Sequence, residues 1–343
     1  MRLAAGGCFA RALAAAARLD LAGVLAGGFL SHGELADRTG SHPEVLLRLL
    51  QTLALAGVLE RDEHGRFGLA ASCAALRGDH PRSVRNLCIL LAETYDDAFA
   101  ALPETVRTGE SGFRQVFGSS LYEHLEREPE AGRVFDAAMA ELARPVAAEL
   151  ADRHDFSAVC RVIDVGGGDG TLLAGLLARH PQLEGICVDR PSVCQRAVSP
   201  LARLLFHPAD IFAAVPAGGD RYLLKNVLHD WPPEDCLRLL TAVRTAMRGG
   251  DRAARLLVLE PMIEAESDGP HALFQLVLCE TGTRGFTEPE LRKLLDRAGF
   301  EVLARDQLPS GHHLLECAPA PTADRPTDHA THHLTDQLPG STT

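Results

Sequence analysis

The chain lacks paired cysteines. Its nine cysteines, at 8, 73, 88, 160, 187, 194, 236, 279 and 317, form no C-x-x-C pair and are odd in number. That excludes a zinc framework or disulfide scaffold and is the usage of a reduced, cytoplasmic protein. A long apolar run is also missing. Arg2, Arg11, Arg18 and Asp20 interrupt the Ala-rich start before it reaches the roughly 18 residues that a membrane span needs. No signal peptide or anchor is expected, and the apolar stretch before Cys8 is too short for a lipoprotein leader. Positive charge is the third shortage: 34 Lys+Arg stand against 46 Asp+Glu, a formal charge of -12. This disfavours a polyphosphate partner and suits a small neutral or cationic ligand. No internal repeat is present. What remains is 343 residues, 46% of them hydrophobic, enough for two globular domains of roughly 150 residues.

From Cys8 to about Glu149 apolar residues recur at helical spacings, with Gly or Pro closing each segment. Ser31-x-x-Glu34 and Ser41-x-x-Glu44 both read as capping boxes that start helices. Leu46, Leu47, Leu49, Leu50 and Leu53 pave one helix, and 58–61 and 66–69 read as a small hairpin. Helix, turn, helix, hairpin is a winged-helix arrangement, and so raises DNA binding. Residues 31–68 carry four Arg (38, 48, 61, 66) and no Lys against six acids. A recognition helix needs cations for phosphates, so a winged-helix regulator is the weaker reading and no nucleic-acid partner is expected. From Val159 onward, short β-rich runs alternate with helical segments: 161–165, 185–189, 204–207, 222–228, 256–260, then 301–305 and 312–317. Such alternation implies a mostly parallel sheet with helices on both faces. The last two strands have no helix between them, which makes one of them antiparallel. After Cys317 the composition turns to Pro, Thr, Asp and His, and disorder is expected there, the three histidines 329, 332 and 333 included. The expected division is a winged-helix domain over 1–100, a helical substrate lid over 101–155, an α/β domain over 156–318 and a tail over 319–343.

The strongest local signal is the loop that joins the strand 161–165 to a helix beginning near Thr171. It reads Asp164-x-Gly166-x-Gly168-x-Gly170. The dinucleotide fingerprint G-x-G-x-x-G would require a glycine where Thr171 stands. Asp164 and Asp169 would repel a pyrophosphate and attract an ammonium or sulfonium. Nineteen residues after Gly170, Asp189 ends the next strand, where an acid accepts from both ribose hydroxyls of a nucleoside. The next strand closes on Ala209-Asp210-Ile211-Phe212, which offers Asp210 to an adenine amino group and Phe212 to its ring. Acids at three successive strand ends describe a nucleoside site along the carboxyl edge of the sheet.

These motifs, with the run Leu224-Lys225-Asn226-Val227-Leu228-His229-Asp230-Trp231, resemble the S-adenosylmethionine-dependent O-methyltransferases of the plant caffeate and bacterial aromatic-polyketide type. The resemblance spans nearly the whole chain and extends to Val106–Glu110 and to Phe135-Asp136-x-x-Met139. It implies a Rossmann-like class I methyltransferase domain and an N-terminal all-helical, winged-helix dimerisation domain, hence a homodimer. It further implies S-adenosyl-L-methionine as cofactor, S-adenosylhomocysteine as product and a small aromatic acceptor. Asp164, Gly166, Gly168, Gly170, Asp189, Asp210, Ile211, Phe212 and Lys225 fall on the cofactor side, Met139 and Asp230 on the acceptor side. No metal is implied. His229 takes the position of the general base, and Glu260, at the end of the strand 255–260, that of the acid holding its ring N–H. An imidazole with an ordinary pKa near 6.5 is neutral enough at pH 7 to accept a proton from a phenol with pKa near 10.

The sequence departs from that pattern at two places. Gly285 stands where plant members carry a second flanking Glu, and Gln275 where bacterial members carry an aspartate, with one residue fewer before Gly282. Some relatives keep the cofactor and abandon methylation for hydroxylation, decarboxylation or ring-forming rearrangement. The retention of His229 and Glu260 favours methylation, with the non-methylating enzyme as the alternative.

Overall fold

The computed structural model describes residues 5–199, 201–248 and 254–321. In the N-terminal region the helices His32–Thr39 and Pro43–Leu55 lead into the hairpin β1 (Leu59–Arg61) and β2 (Phe67–Leu69). Ser31 begins the first of these helices with a full capping box, its hydroxyl accepting from the Glu34 N–H while the Glu34 carboxylate accepts from the Ser31 N–H. Ser41 forms no such box. The Pro at position 43 takes the first helical turn, so His42 is the N-cap and the Ser41 hydroxyl bonds to Thr39 instead. Leu46, Leu50 and Leu53, on one helical face, are buried with Leu21, Leu35 and Phe67, whereas Leu47 and Leu49 are only partly covered.

The C-terminal region is a seven-stranded sheet built from β3 (Arg161–Val165), β4 (Glu184–Asp189), β5 (Leu204–Pro208), β6 (Arg221–Lys225), β7 (Arg255–Glu260), β8 (Phe300–Gln307) and β9 (His313–Pro319). The strand order is β5-β4-β3-β6-β7-β9-β8, all parallel except β9, which runs antiparallel to both neighbours. Alternation along each central strand buries both faces. Ile163, Tyr222, Leu224, Leu256 and Val258 pack beneath the helices Pro233–Arg248 and Glu288–Arg297. Val162, Leu223, Leu257 and Leu259 pack on the other side, beneath the helices Pro129–Arg153 and Thr171–Arg179. The chain reverses its winding between β3 and β6, which opens a crevice beyond their carboxyl ends.

Two further sequence expectations fail here. β6 stops at Lys225, not at position 228, because Asn226 adopts a left-handed conformation (φ 55°) that breaks the ladder. Val227 and Leu228 look like strand residues only because they are buried beneath the turn that follows. Ordered structure also continues past Cys317: Ala318 and Pro319 pair with β8, and the Ala320 N–H donates to the Gly299 carbonyl at 2.8 Å. The rest of the expected tail, with His329, His332 and His333, lies outside the described residues.

The helix Pro129–Arg153 ties the two regions together. On one side Gly175 lets the neighbouring helix approach so closely that a Cβ there would stand 2.7 Å from the Ala147 Cβ. On the other side the buried Glu141 carboxylate accepts from the Asn86 and Leu87 N–H groups at 3.1 and 2.9 Å. It thereby caps the helix Arg85–Leu90 from outside. Among the described residues no helix is long and apolar enough to cross a membrane.

Candidate active site

The glycine loop leaves β3 at Val165 and turns under the crevice. Gly166, Gly168 and Gly170 have φ values of 73°, 62° and 80°, a region that residues with a Cβ rarely occupy. Space is equally restrictive: a Cβ at Gly166 would stand 2.9 Å from the Val227 side chain, and one at Gly167 2.8 Å from the Asp164 carboxylate. The Gly168 N–H donates to Asp189 Oδ2 at 2.8 Å, and the Arg190 N–H donates to Asp189 Oδ1 at 2.7 Å, so the acid ending β4 is clamped to the loop. Asp210, just beyond β5, accepts from the Phe212 N–H at 2.9 Å. The Phe212 ring meets Trp231 edge-on, centroids 4.7 Å apart, and Ile211 packs against the core near the loop.

Asp164 is 1% exposed, and its Oδ2 has no hydrogen-bond partner. Burial pushes its pKa up to about 7 against the pull of Lys225, with Asp189 adding to the rise. Lys225 is pushed down to about 8 by burial, against Glu260, Asp164 and Asp230. A buried carboxylate with an orphaned oxygen beneath a loop that admits no side chain is a site built for a cationic or donor-rich ligand.

Across the crevice, His229 sits in a single tight turn, Leu228–Asp230, three residues past the end of β6. Glu260, fully enclosed at the end of β7, builds that turn. Its Oε1 accepts from the Val227 and Leu228 N–H groups at 3.0 and 2.8 Å, and its Oε2 is 2.5 Å from His229 Nδ1. One carboxylate therefore fixes both the backbone of the turn and the orientation of the ring, and in the neutral imidazole it keeps the proton on Nδ1, leaving Nε2 toward the acceptor side. Burial opposes a charge on His229, but Glu260 and Asp230 outweigh it, and its pKa is pushed up to about 9. Sequence alone suggests the ordinary value near 6.5; the two acidic neighbours favour the protonated ring.

The acceptor side draws on residues that sequence motifs did not mark. The Asp230 carboxylate, 3.3 Å from His229 Nε2, accepts from the Tyr122 hydroxyl and, at 3.2 Å, from the Cys279 thiol. Tyr122 stacks on Trp231 with centroids 5.4 Å apart and lies under the Arg190 guanidinium. Tyr95, at the end of a π-helical turn, is half-buried in the same neighbourhood, and burial of its hydroxyl and then Asp230 hold it well above the usual phenol range. Behind the turn His312 Nε2 lies 2.8 Å from Asn226 Oδ1, and burial pushes its pKa down to about 4. Met139 lies on the helix Pro129–Arg153 among Ile89, Leu90, Val134 and Ala138.

A nucleoside cradle at a parallel-sheet switch point, facing a histidine held by a carboxylate, is the arrangement of a class I methyltransferase. An O-methyltransferase domain model matches residues 99–301 and an O-methyltransferase dimerisation domain model matches residues 1–78; the chain belongs to the S-adenosylmethionine-dependent O-methyltransferase family. It is similar to the O-demethylpuromycin-O-methyltransferase of Streptomyces alboniger, at 35% identity over 89% of this chain and 84% of that protein. It is also similar to aclacinomycin 10-hydroxylase RdmB of Streptomyces purpurascens, at 34% over 85% and 81%. Among solved structures, LaPhzM superimposes with a TM-score of 0.86 at 33% identity, covering 93% of this chain and 97% of that one. The protein is an enzyme whose cofactor is S-adenosylmethionine, and the residues present fit that molecule, since Asp164 leaves a buried oxygen without a hydrogen-bond partner beneath a loop that admits no side chain.

Proposed function

We propose that the enzyme methylates a phenolic hydroxyl of a small aromatic secondary metabolite, with His229 as general base and Glu260 as the residue that orients it. The glycine loop and Asp164 hold the cofactor from below, Asp189 accepts from its ribose hydroxyls, and Asp210 and Phe212 receive the adenine. Lys225 offsets the buried charge of Asp164. When bound, the cofactor supplies a methyl group activated on sulfur. Asp230 stands beside His229 on the acceptor side, and Met139 borders the acceptor from the long helix.

The observation that carries this reading is the His229–Glu260 pair at 2.5 Å, which holds the ring at the acceptor side. With its pKa pushed up to about 9 the ring must first lose a proton at pH 7; in its neutral form it takes the proton of a phenol with pKa near 10 at a cost of about one pKa unit, roughly 1.4 kcal/mol. Proximity and alignment of the two bound partners supply most of the remaining rate.

A pair of chains forms the working unit, and the exposed side chains Phe29, Val45 and Leu55 of the N-terminal region, 38%, 68% and 80% accessible, support a partner covering them. Exposed apolar side chains of this kind speak against phosphate contact, which supports the winged-helix unit as one that assembles chains and does not read DNA. Cytoplasmic placement follows from the cysteine usage. The non-methylating alternative is favoured by one feature, the absence of an acid at position 285. Incubation with methyl-labelled cofactor and a panel of phenols tests the choice. Label should appear in the acceptor, and His229→Ala should reduce kcat by about 10²–10⁴-fold with unchanged affinity for S-adenosylhomocysteine. Product formed without consumption of cofactor would overturn it.

A further inference from the structure

The two departures from the family pattern meet at one place. Gly285, at φ 74°, faces the Gln275 side chain so closely that a Cβ there would stand 2.2 Å from Gln275 Oε1. Gln275 is 3% exposed, and that oxygen has no hydrogen-bond partner. Any side chain at 285 would therefore expel the amide. The other end of the amide is engaged: Nε2 is 3.1 Å from His271 Nε2, one helical turn earlier on the helix Gly269–Leu278. An amide NH₂ can only donate, so His271 Nε2 accepts, and its proton is on Nδ1. Among the described residues Nδ1 has no partner. The His271 ring lies 6.1 Å from the His229 ring, nearly perpendicular to it.

We infer that His271, held by Gln275 in the space vacated at Gly285, is an acceptor-positioning residue whose Nδ1–H recognises an oxygen substituent ortho to the hydroxyl being methylated. An ortho oxygen on an aromatic ring lies within about 3 Å of its neighbouring hydroxyl, so a hydroxyl on His229 places it in the span between the two imidazoles. The charges there agree. An acid at 285 would repel an electron-rich oxygen, and none is present. Of the three acids nearby, Glu260 is enclosed by three donors, Asp268 accepts from the Glu264 and Ala265 N–H groups, and Asp230 accepts from Tyr122 and Cys279. Burial, and then the neighbouring His229 charge, hold the His271 pKa below its ordinary value, which keeps the ring neutral and Nδ1 a donor. A carboxylate and a ring-bound carbonyl share the required chemistry.

This inference rests on the acceptor site proposed above, and binding separates the two. With the full chain saturated in S-adenosylhomocysteine, calorimetry is run with phenol, 4-hydroxybenzoate, salicylate and 2-hydroxyacetophenone. The two ortho-oxygen probes should bind about tenfold more tightly than phenol, the worth of one hydrogen bond whose loss strands a partner. The para carboxylate should give no such gain. Salicylate favoured with 2-hydroxyacetophenone at the phenol level would assign a carboxylate; both favoured would assign any ortho oxygen. His271→Phe should abolish the preference and change phenol affinity by less than twofold, with S-adenosylhomocysteine affinity as the check on folding. Gln275→Leu, which frees His271, should erode the preference without removing any group that contacts the acceptor. A preference that survives both variants, or is absent in the parent enzyme, overturns the inference. Ortho discrimination without label transfer to any phenol would instead overturn the methylation reading and leave this one standing.

Discussion

The two halves of the crevice are made of different material. The cofactor half is mainly backbone: three glycines in left-handed conformations, N–H groups clamping Asp189, and strand ends arriving in sequence order. The acceptor half is side chains drawn from distant segments, with Tyr122, His229, Asp230, His271 and Cys279 brought together by packing. Backbone requirements constrain residue type at fixed spacing and so leave a motif. Converging side chains satisfy one another in space and leave none. The difference also divides the consequences of mutation, because the acceptor half hangs on a few buried hydrogen bonds and the cofactor half on excluded volume.

The largest effect is expected on the acceptor half. Glu260→Ala strands two backbone N–H groups and the His229 ring in a fully buried position. Urea unfolding should show a loss of about 3–5 kcal/mol, with kcat falling at least as far as in His229→Ala. An unchanged unfolding midpoint would mean that the turn holds itself. On the cofactor half, Gly166→Ala sets a methyl group 2.9 Å from Val227 at φ 73°. Affinity for S-adenosylhomocysteine should fall about 100-fold with a stability loss of about 1–3 kcal/mol, and a stability loss as large as that of Glu260→Ala would erase the contrast.

The pH response separates the halves further. His229 is held at about 9, above its ordinary value, by Glu260 and Asp230 against burial. A base must shed that proton, so kcat should rise roughly tenfold per pH unit and level off near pH 9; His229→Ala should be flat. The sign for stability is opposite. The protonated ring stabilises the fold fully below its unfolded pKa of about 6.5, and that stabilisation is lost as pH climbs through 9. Urea midpoints should therefore decline over the range in which activity grows. The smallest effect belongs to Asp164, whose pKa burial raises to about 7. A bound sulfonium favours its ionised form, so cofactor binding at pH 6 should release a fraction of a proton. Calorimetry in buffers of different ionisation enthalpy should detect this, and the release should vanish by pH 8.5. Release that persists there would assign the proton to another group.

Much of this was legible in the sequence, for identifiable reasons. Strand alternation, the acid-led glycine loop and the His229–Glu260 pairing all followed from periodicity, spacing or family resemblance. The misreadings share a cause: local signals were overridden by neighbours. Val227 and Leu228 read as strand because a turn that packs against a core is as apolar as a strand. The Ser41 cap gave way to the helix-starting geometry of Pro43. The ordinary pKa assigned to His229 left out its neighbours, since Glu260 and then Asp230, adjacent in sequence, press charge onto the ring. Tyr122 and Cys279 had no signal to give, since their partner Asp230 lies 108 and 49 residues away.

The short helix Leu121–Arg127 has one further consequence. Its Glu126 holds Arg190, the residue directly after the ribose-side acid Asp189, at 2.5 Å, while its Tyr122 reaches Asp230 beside the base. A girder pinned at both ends transmits what happens at one end to the other. A change at Arg190 is therefore felt at the carboxylate beside the base as well as at the ribose end of the cleft.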